Sequence, residues 1–268
     1  MRPKLRVGAL ISGGGTNLQA IIDRCERGEI DADVVFVGSD TPGAKGLERA
    51  RNHGIPHFTV DYAEIVRAFR SDPEGPPSPP DFDLAQVLSR QHLFPAGIDP
   101  ERLRRFFATR AAAEAALLSQ ISLHGFDLLV LAGFMRTLTP YFIDRVNQDP
   151  EKPRIMNIHP AILPAFPGVD GYGDTFRYGC KVGGCTVHFI DYGEDSGPII
   201  GQRAFPIEPG DTLETVKEKG LRQEWELYPE CIQLYAENRL RVVRNTYPLP
   251  NGKSVSQAVV EIAARKSC

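Results

Sequence analysis

The sequence predicts an α/β fold with a mostly parallel, Rossmann-like sheet, flanking helices and a mixed or antiparallel C-terminal extension. Apolar, β-branched runs alternate with helix-period stretches up to about Pro160, which is typical of parallel strands joined by helices. Phe126–Ala132 is apolar almost throughout, as expected for a strand covered on both faces. After Pro160, two β-rich segments follow one another with no helical stretch between them, which favours antiparallel pairing.

The first part of the chain supplies the parallel strands. Leu5–Ile11 is the first, and a helical pattern through Leu18, Ile21, Ile22 and Cys25 follows it. Glycine, proline or polar residues bound each later run, as they bound strands and helices generally. These runs are the strand Val34–Val37, the helix Ala44–Asn52 and the strands His57–Val60, Phe126–Ala132 and Arg154–Ile158.

A proline-rich, acidic segment interrupts the alternation. Ser71–Asp83 reads SDPEGPPSPPDFD, and so many prolines and charges cannot pack as a helix or strand. We expect a mobile surface insertion within about residues 62–100, with a small helix near Ala85–Phe94.

The later part of the chain predicts two strands and a long helix. The strands are Lys181–Ile190 and Ile199–Ile207. The helix opens at Asp211–Thr212, which suits an N-terminal cap, and extends to about Asn238. Pro229 should kink or interrupt it.

Composition excludes several classes of protein. The net charge of −3 gives no basic field for nucleic acid, and no apolar run approaches the ~20 residues that span a bilayer. The glycine-rich start predicts a strand rather than a signal peptide. Five scattered cysteines without a CxxC motif favour a reduced, cytosolic protein over a disulfide framework or zinc site.

A glycine-rich loop, SGGGTN at 12–17, lies between the first predicted strand and helix. Glycine permits a sharp turn close to a ligand, and a helix N-terminus favours phosphate. The Gly-Lys-Ser/Thr ending of a P-loop is missing, and Leu18 stands where G-x-G-x-x-G needs glycine. A monophosphate is therefore favoured over a dinucleotide, and a tight turn alone is the alternative.

Asn157 and His159 stand at the end of a predicted strand. Alternation puts them on one face, and such strand ends bind ligands in α/β sheets. An amide beside an imidazole suits acyl transfer, because one group holds an oxyanion while the other moves a proton. The alternative is a packed or capping histidine. The other histidines, including His188, carry no catalytic prediction.

The segment DYGEDSGP, Asp191–Pro198, joins the two late strands. A solvated connection is the commoner use of such residues. An aspartate from this segment beside His159 would favour the imidazolium and hold its pKa above the ordinary ~6.5.

Six blocks resemble, in order, the folate-dependent phosphoribosylglycinamide formyltransferases. They are ISGGGTNLQAIID, GLERARNHGI, LVLAGFMRTLTP, MNIHPAILPAFPG, GCTVHFIDYGEDSGPII and EWELYP. The resemblance implies a formyltransferase-type fold in one domain, 1–268. Its phosphoribosyl-binding half would be about 1–125, and its folate-binding, catalytic half about 126–268.

The resemblance also implies roles for individual residues. Asn157, His159 and Asp195 would be catalytic. The phosphoribosylglycinamide site would comprise Gly15, Thr16, Asn17 and Glu224. The folate site would comprise Arg110, Met135, Arg136, Thr137, Leu138, Asp191, Tyr192, Gly193, Glu194, Asp195 and Asn157. Leu221 replaces a family glutamine near the substrate, and VDGYGDTFRYG departs from the family pattern.

The implied reaction is direct formyl transfer from 10-formyltetrahydrofolate, a co-substrate, to the glycine amine of phosphoribosylglycinamide in purine biosynthesis. Asn157 and protonated His159 would stabilise a tetrahedral oxyanion. We expect small-molecule substrates, no metal, no nucleic-acid or membrane partner, a cytoplasmic location, and a monomer or homodimer. The alternatives are a formyltetrahydrofolate hydrolase, a methionyl-tRNA formyltransferase, which would favour a basic surface and an added domain, and a non-catalytic nucleotide-binding module.

Overall fold

The computed structural model describes residues 3–71 and 78–265. Its strands are β1 (Leu5–Ile11), β2 (Ala32–Ser39), β3 (His57–Thr59), β4 (Leu128–Leu131), β5 (Ile155–His159), β6 (Val182–Phe189), β7 (Ile199–Pro206), β8 (Leu240–Pro248) and β9 (Ser254–Ile262). Its helices are α1 (Thr16–Glu26), α2 (Lys45–Asn52), α3 (Tyr62–Ser71), α4 (Leu84–Arg90), α5 (Pro100–Ile121), α6 (Pro140–Val146), α7 (Gly171–Arg177) and α8 (Leu213–Ala236).

Seven strands form one sheet in the order β3-β2-β1-β4-β5-β6-β7. The pairs from β3 through β5 are parallel, and β5–β6 and β6–β7 are antiparallel. The strand order reverses between β1 and β4, and such a reversal opens a crevice at the carboxyl ends of parallel strands. This topology confirms the predicted α/β class, its mostly parallel sheet and its antiparallel extension.

The central strands are buried because helices cover both faces of the sheet. On β1, Val7, Ala9 and Ile11 belong to a core that includes α1, α2 and α8. Leu10 points the other way, into a core formed with α3, α5 and α6. Each fully buried leucine or isoleucine contributes roughly 1.5–3 kcal/mol to stability. Burial on both faces therefore holds the strands, and with them their carboxyl ends, in place.

The described part of the region predicted as an insertion contains two helices, α3 and α4. The predicted small helix is confirmed as α4, whereas α3 has no counterpart among the sequence predictions. Residues 72–77, in the segment expected to be mobile, lie outside the described residues. The long helix α5 begins where the Asp99 side chain accepts a hydrogen bond from the Arg102 N–H.

Helix α8 connects the two parts of the sheet. Pro229 was expected to kink or interrupt it. The helix continues through this proline, so the expected interruption is wrong. The predicted cap is confirmed, because Thr212 and Thr215 exchange side-chain to backbone hydrogen bonds at its start. The helix packs against α1, β6 and β7.

A two-stranded hairpin follows α8. β8 and β9 pair antiparallel, and the turn between them contains Asn251 and Gly252. Leu240, Val242 and Val260 pack against the main core, while the distal half of the hairpin is exposed. None of the described helices is long and apolar enough to cross a membrane.

Candidate active site

A cavity of about 560 Å³ lies at the carboxyl ends of β1, β4 and β5. Much of it is lined by the segments 12–17 and 132–138, which follow β1 and β4, and by residues 157–160, which include the end of β5. Helix α8 adds Lys217, Leu221 and Glu224, at helical spacings that place them on one face. The sheet topology thus brings distant parts of the sequence to one site.

The glycine loop forms the start of α1. Gly15 is the N-cap residue and has a φ of 68°, which favours glycine. A Cβ at Gly15 would also lie 2.8 Å from the Cα of Gly46. No side chain caps the helix, so its first N–H groups remain available to a ligand. This geometry suits an anion.

Glu224 joins this loop to α7 and α8. Its carboxylate accepts hydrogen bonds of 2.6 Å from Asn17 Nδ2 and from the Tyr172 hydroxyl. Burial raises the pKa of Glu224, although both hydrogen bonds act in the opposite direction. Asn17 Oδ1 is buried and has no hydrogen-bond partner among the described residues, which leaves an acceptor for a ligand.

His159 and Asp195 meet in the cavity, although they are distant in sequence. His159 Nδ1 lies 3.2 Å from Asp195 Oδ2, and the histidine side chain is only 3% exposed. His159 Nε2 lies 2.8 Å from the Phe166 carbonyl oxygen, which can only accept, so Nε2 carries a proton. A second proton, on Nδ1, would face the carboxylate.

The pKa of His159 differs from the sequence-based expectation. Burial lowers this pKa below the ordinary value of 6.5, and it outweighs Asp195 and the Phe166 carbonyl, which raise it. The expectation that Asp195 holds His159 charged above this value is therefore wrong for the free protein, because it neglected desolvation. For Asp195, burial raises the pKa, but contacts with His188, His159 and the Gly168 N–H lower it overall.

Asn157 lies beside a histidine that carried no prediction. Asn157 and His188 are direct partners across β5 and β6, and Asn157 Nδ2 lies 3.2 Å from His188 Nε2. His188 Nδ1 lies 2.9 Å from the Phe189 carbonyl oxygen. In the neutral ring, Nδ1 therefore carries the proton, and Nε2 accepts from the amide. His188 Nε2 also lies 3.6 Å from Asp195 Oδ1. Only the register of β5 against β6 reveals this role, and the sequence does not give that register.

The loop after β6 directs Asp195 into the cavity. Asp195 has a φ of 49°, and its carboxylate accepts a 2.8 Å hydrogen bond from the Gly168 N–H. Gly193, Glu194 and Asp195 line the cavity. The described lining does not include Asp191 or Tyr192, both predicted to contact folate.

Contacts behind the loop come from α6 and from the inserted region. The Tyr192 hydroxyl donates a 2.6 Å hydrogen bond to Asp144, which also pairs with Arg90 at 2.6 Å. The His92 N–H donates to the Tyr192 carbonyl oxygen at 2.8 Å. The region around α4 therefore supports the loop that carries Asp195.

The segment 135–138, predicted to bind folate, lies along the cavity, whereas Arg110 does not. Met135, Arg136, Thr137 and Leu138 all line it, and the Met135 N–H donates to Ser12 Oγ at 2.8 Å. Arg136 pairs with Asp40, which is almost fully buried. Arg110 is absent from the described lining. Its guanidinium lies 5.3 Å from the Phe106 ring centre on α5, and burial lowers its pKa.

Within residues 3–71 and 78–265, no group of three or more His, Cys, Asp or Glu side chains is arranged to hold a metal ion. The site contains instead an amide, an imidazole and a carboxylate beside an anion-binding helix terminus. These groups suit acyl transfer with proton movement.

The sequence profile of the formyl transferase family matches residues 5–232. The chain belongs to the formyl transferase family. Its sequence is similar to "Phosphoribosylglycinamide formyltransferase" of Bacillus subtilis (strain 168), with 34% identity over 222 residues, which cover 83% of this chain and 90% of the relative. The predicted family resemblance is therefore confirmed.

Solved structures of formyl transferase relatives share the fold. The crystal structure of glycinamide ribonucleotide transformylase 1 from Symbiobacterium toebii is similar, with a TM-score of 0.71, 35% identity and coverage of 98% of this chain and 96% of that one. Formyltetrahydrofolate deformylase from Burkholderia mallei has 22% identity and a TM-score of 0.65, covering 97% of this chain and 70% of its own. At that identity, the likeness concerns the fold alone.

Proposed function

We propose that this protein transfers a formyl group from 10-formyltetrahydrofolate to the glycine amine of phosphoribosylglycinamide in purine biosynthesis. One observation carries the proposal. Asn157, His159 and Asp195 meet in the same cavity as the uncapped N-terminus of α1. The names of the Bacillus subtilis and Symbiobacterium toebii relatives agree with this chemistry.

We assign the substrate phosphate to the backbone N–H groups at Gly15, Thr16 and Asn17, because a helix N-terminus attracts anions. Glu224 would bind the glycinamide part of the substrate. Asn17 Oδ1 lacks a partner and would accept a hydrogen bond from a substrate N–H or O–H. The folate would lie against Met135–Leu138 and the loop that carries Asp195.

Asn157 would stabilise the oxyanion that forms when the neutral glycine amine attacks the formyl carbon. One N–H of its amide group points to His188 Nε2, which leaves the second N–H for the oxyanion. Because His188 also fixes the orientation of the amide, little reorganisation is needed during the reaction. Such preorganised donors typically accelerate acyl transfer by about 100- to 1000-fold each.

His159 and Asp195 would move the proton. The amine must lose a proton as the new C–N bond forms, and neutral His159 can accept it at Nδ1 because burial lowers the pKa of this ring. Asp195, at 3.2 Å, would stabilise the resulting imidazolium. The imidazolium then donates this proton to the departing folate nitrogen as the old C–N bond breaks, which returns both residues to their starting states.

The two halves of the chain would have different roles. We propose that the half before about residue 126 binds the phosphoribosyl group, and that the half from 126 onward binds folate and performs the chemistry. We also propose a cytoplasmic location and action on small molecules as a monomer or homodimer. Cys25, Cys180, Cys185 and Cys231 are free thiols, which are typical of reducing compartments.

An absorbance assay for loss of 10-formyltetrahydrofolate tests the proposal. We expect consumption only when phosphoribosylglycinamide is present, with one formylated product formed per folate consumed. Equal consumption without the amine would identify a hydrolase instead. If the folate persists with or without the amine, the proposed transfer is refuted and a non-catalytic binding protein is favoured.

A further inference from the structure

Lys217 is a cavity residue that the function described so far leaves unused. It lies on α8, four residues before Leu221 and seven before Glu224, and all three line the cavity. At 1.5 Å of rise per residue, Leu221 lies about 6 Å and Glu224 about 10 Å along the helix from Lys217. Leu221 offers no polar group, so only Lys217 and Glu224 add charge from this helix face.

The other basic side chains in the described lining already have partners. Arg136 pairs with the almost fully buried Asp40, and His159 faces Asp195. Lys217 has a weaker partner: its Nζ lies 3.8 Å from Asp170 Oδ1, and both side chains are more than two-fifths exposed. Asp170 also pairs with Arg177 at the shorter distance of 2.8 Å. Lys217 can therefore leave Asp170 at little cost.

A cation from α8 would add charge at the phosphate position. Arg49 lies beside the glycine loop, but it is already engaged, because its Nε donates to the Gly14 carbonyl oxygen at 2.8 Å and its Nη1 donates to Gln19 Oε1 at 3.0 Å. The glycine loop contributes backbone N–H groups and a helix dipole, which provides only about half a charge, and the loop sequence SGGGTN contains no lysine or arginine. Glu224 binds Asn17 at the same helix terminus, and an ionised carboxylate there would repel a phosphate. A countercharge from α8 would offset that repulsion.

We propose that Lys217 is the countercharge for the substrate phosphate, and that its ammonium group moves from Asp170 to the phosphate when phosphoribosylglycinamide binds. The phosphate class of the ligand rests on the proposed function. Lysine suits this role because its compact charge sits on a flexible four-carbon stem. The residue would act in binding and not in the chemical step.

Lys217→Met tests the proposal because methionine keeps an apolar stem but removes the charge. We expect the KM for phosphoribosylglycinamide to rise about 10-fold, as for loss of one charge-assisted contact at a partly exposed site. The values of kcat and the KM for the folate should change less than about 2-fold, since the residue does not contact the reacting atoms. Lys217→Arg should retain most of the affinity.

Two comparisons make the test specific. Lys219→Met removes a cation from the same helix, but Lys219 pairs with Asp211 outside the cavity and should have no effect on KM. With the unphosphorylated riboside of glycinamide as acceptor, Lys217→Met should behave like the unaltered protein. An unchanged KM for the phosphorylated substrate, or an equal loss with the riboside, would overturn the proposal.

Calorimetric binding of ribose 5-phosphate separates this inference from the proposed function. We expect the unaltered protein to bind it about 10-fold more tightly than Lys217→Met, whether or not formyl transfer occurs. Equal affinities, or no binding to either protein, would refute the role of Lys217. Failure of formyl transfer together with lysine-dependent binding of ribose 5-phosphate would refute only the proposed reaction.

Discussion

Replacing Asp195 with asparagine removes one negative charge from the site and little else. Asparagine tolerates the left-handed backbone that Asp195 adopts, with its φ of 49°. Its side-chain oxygen can still accept the Gly168 N–H that donates to Asp195 at 2.8 Å. The variant therefore isolates the electrostatic effect of a carboxylate 3.2 Å from His159 Nδ1.

The expected effect follows from the pKa of His159. A carboxylate this close typically raises the pKa of a cationic partner by about 1–3 units, or roughly 1.4–4 kcal/mol. Asp195→Asn should therefore lower the pKa of His159 further below its already lowered value. The same energy is lost when His159 becomes an imidazolium during the reaction, so kcat should fall roughly 10- to 1000-fold.

Steady-state kinetics across pH measures both effects. Protonated His159 cannot accept the amine proton, so kcat/KM should fall as the pH decreases through the pKa of His159 in the free protein. In Asp195→Asn this acid limb should move to lower pH by about 1–3 units. Asp174→Asn, which removes a surface carboxylate paired with Arg177, is the matched control. A kcat and an acid limb unchanged by Asp195→Asn would refute the proton-transfer scheme.

Three further substitutions test other parts of the structure. Asn157→Ala should lower kcat about 100- to 1000-fold in steady-state assays because an oxyanion donor is lost, with little change in the thermal midpoint. Arg90→Ala should lower kcat about 2- to 5-fold, since a partly exposed ion pair behind the loop of Asp195 is lost. Glu114, a buried residue of α5, accepts hydrogen bonds from the Thr139 N–H and hydroxyl, and burial raises its pKa from 4.5 to about 7. Its contribution to stability is therefore fully present below pH ~4.5 and is lost as the pH rises through about 7. Glu114→Gln should remove this loss, on the order of 3 kcal/mol, from urea unfolding curves.

Matched variants accompany each measurement. Asn245→Ala, the control for Asn157→Ala, alters an exposed hairpin residue and should leave kcat intact. Arg104→Ala, the control for Arg90→Ala, removes an exposed ion pair with Glu101 and should also leave kcat intact. Glu261→Gln changes an exposed carboxylate on β9 and should preserve the pH dependence of unfolding. Asn157→Ala with normal turnover would remove the amide from the chemistry. An Arg90→Ala protein with normal kcat would mean that the loop holds its shape unaided, and an unaltered stability profile in Glu114→Gln would assign the pH dependence elsewhere.

Strong local patterns made much of the fold predictable. The bounds of β1 match the predicted Leu5–Ile11 because apolar residues fill both of its faces. The β8–β9 hairpin was missed, although Asn251-Gly252 is a recognised turn signal. α3 was missed because the adjacent proline-rich stretch suggested an irregular region. Pro229 shows the reverse error, since packing of α8 overrides a local helix-breaking preference.

The site was predictable where one strand or loop supplied its residues. Alternation placed Asn157 and His159 in one cavity, and the glycine loop gave the anion-binding helix terminus. The other features of the site depend on contacts between residues far apart in sequence. Neither the approach of His188 to Asn157 nor the desolvation of His159 leaves a local sequence signal. The position of Arg110 on α5, outside the described cavity lining, likewise depends on tertiary packing.

The hydrogen bond between Asn17 and Glu224 joins residues separated by 207 positions. During synthesis, the glycine loop leaves the ribosome early, but its buried carboxylate partner, the twelfth of the 24 residues of α8, is made only much later. Contacts of such large sequence separation form slowly, because closing the intervening loop costs entropy. The substrate pocket is therefore completed late in folding, and a nascent chain that ends before α8 has a sheet but no finished binding site.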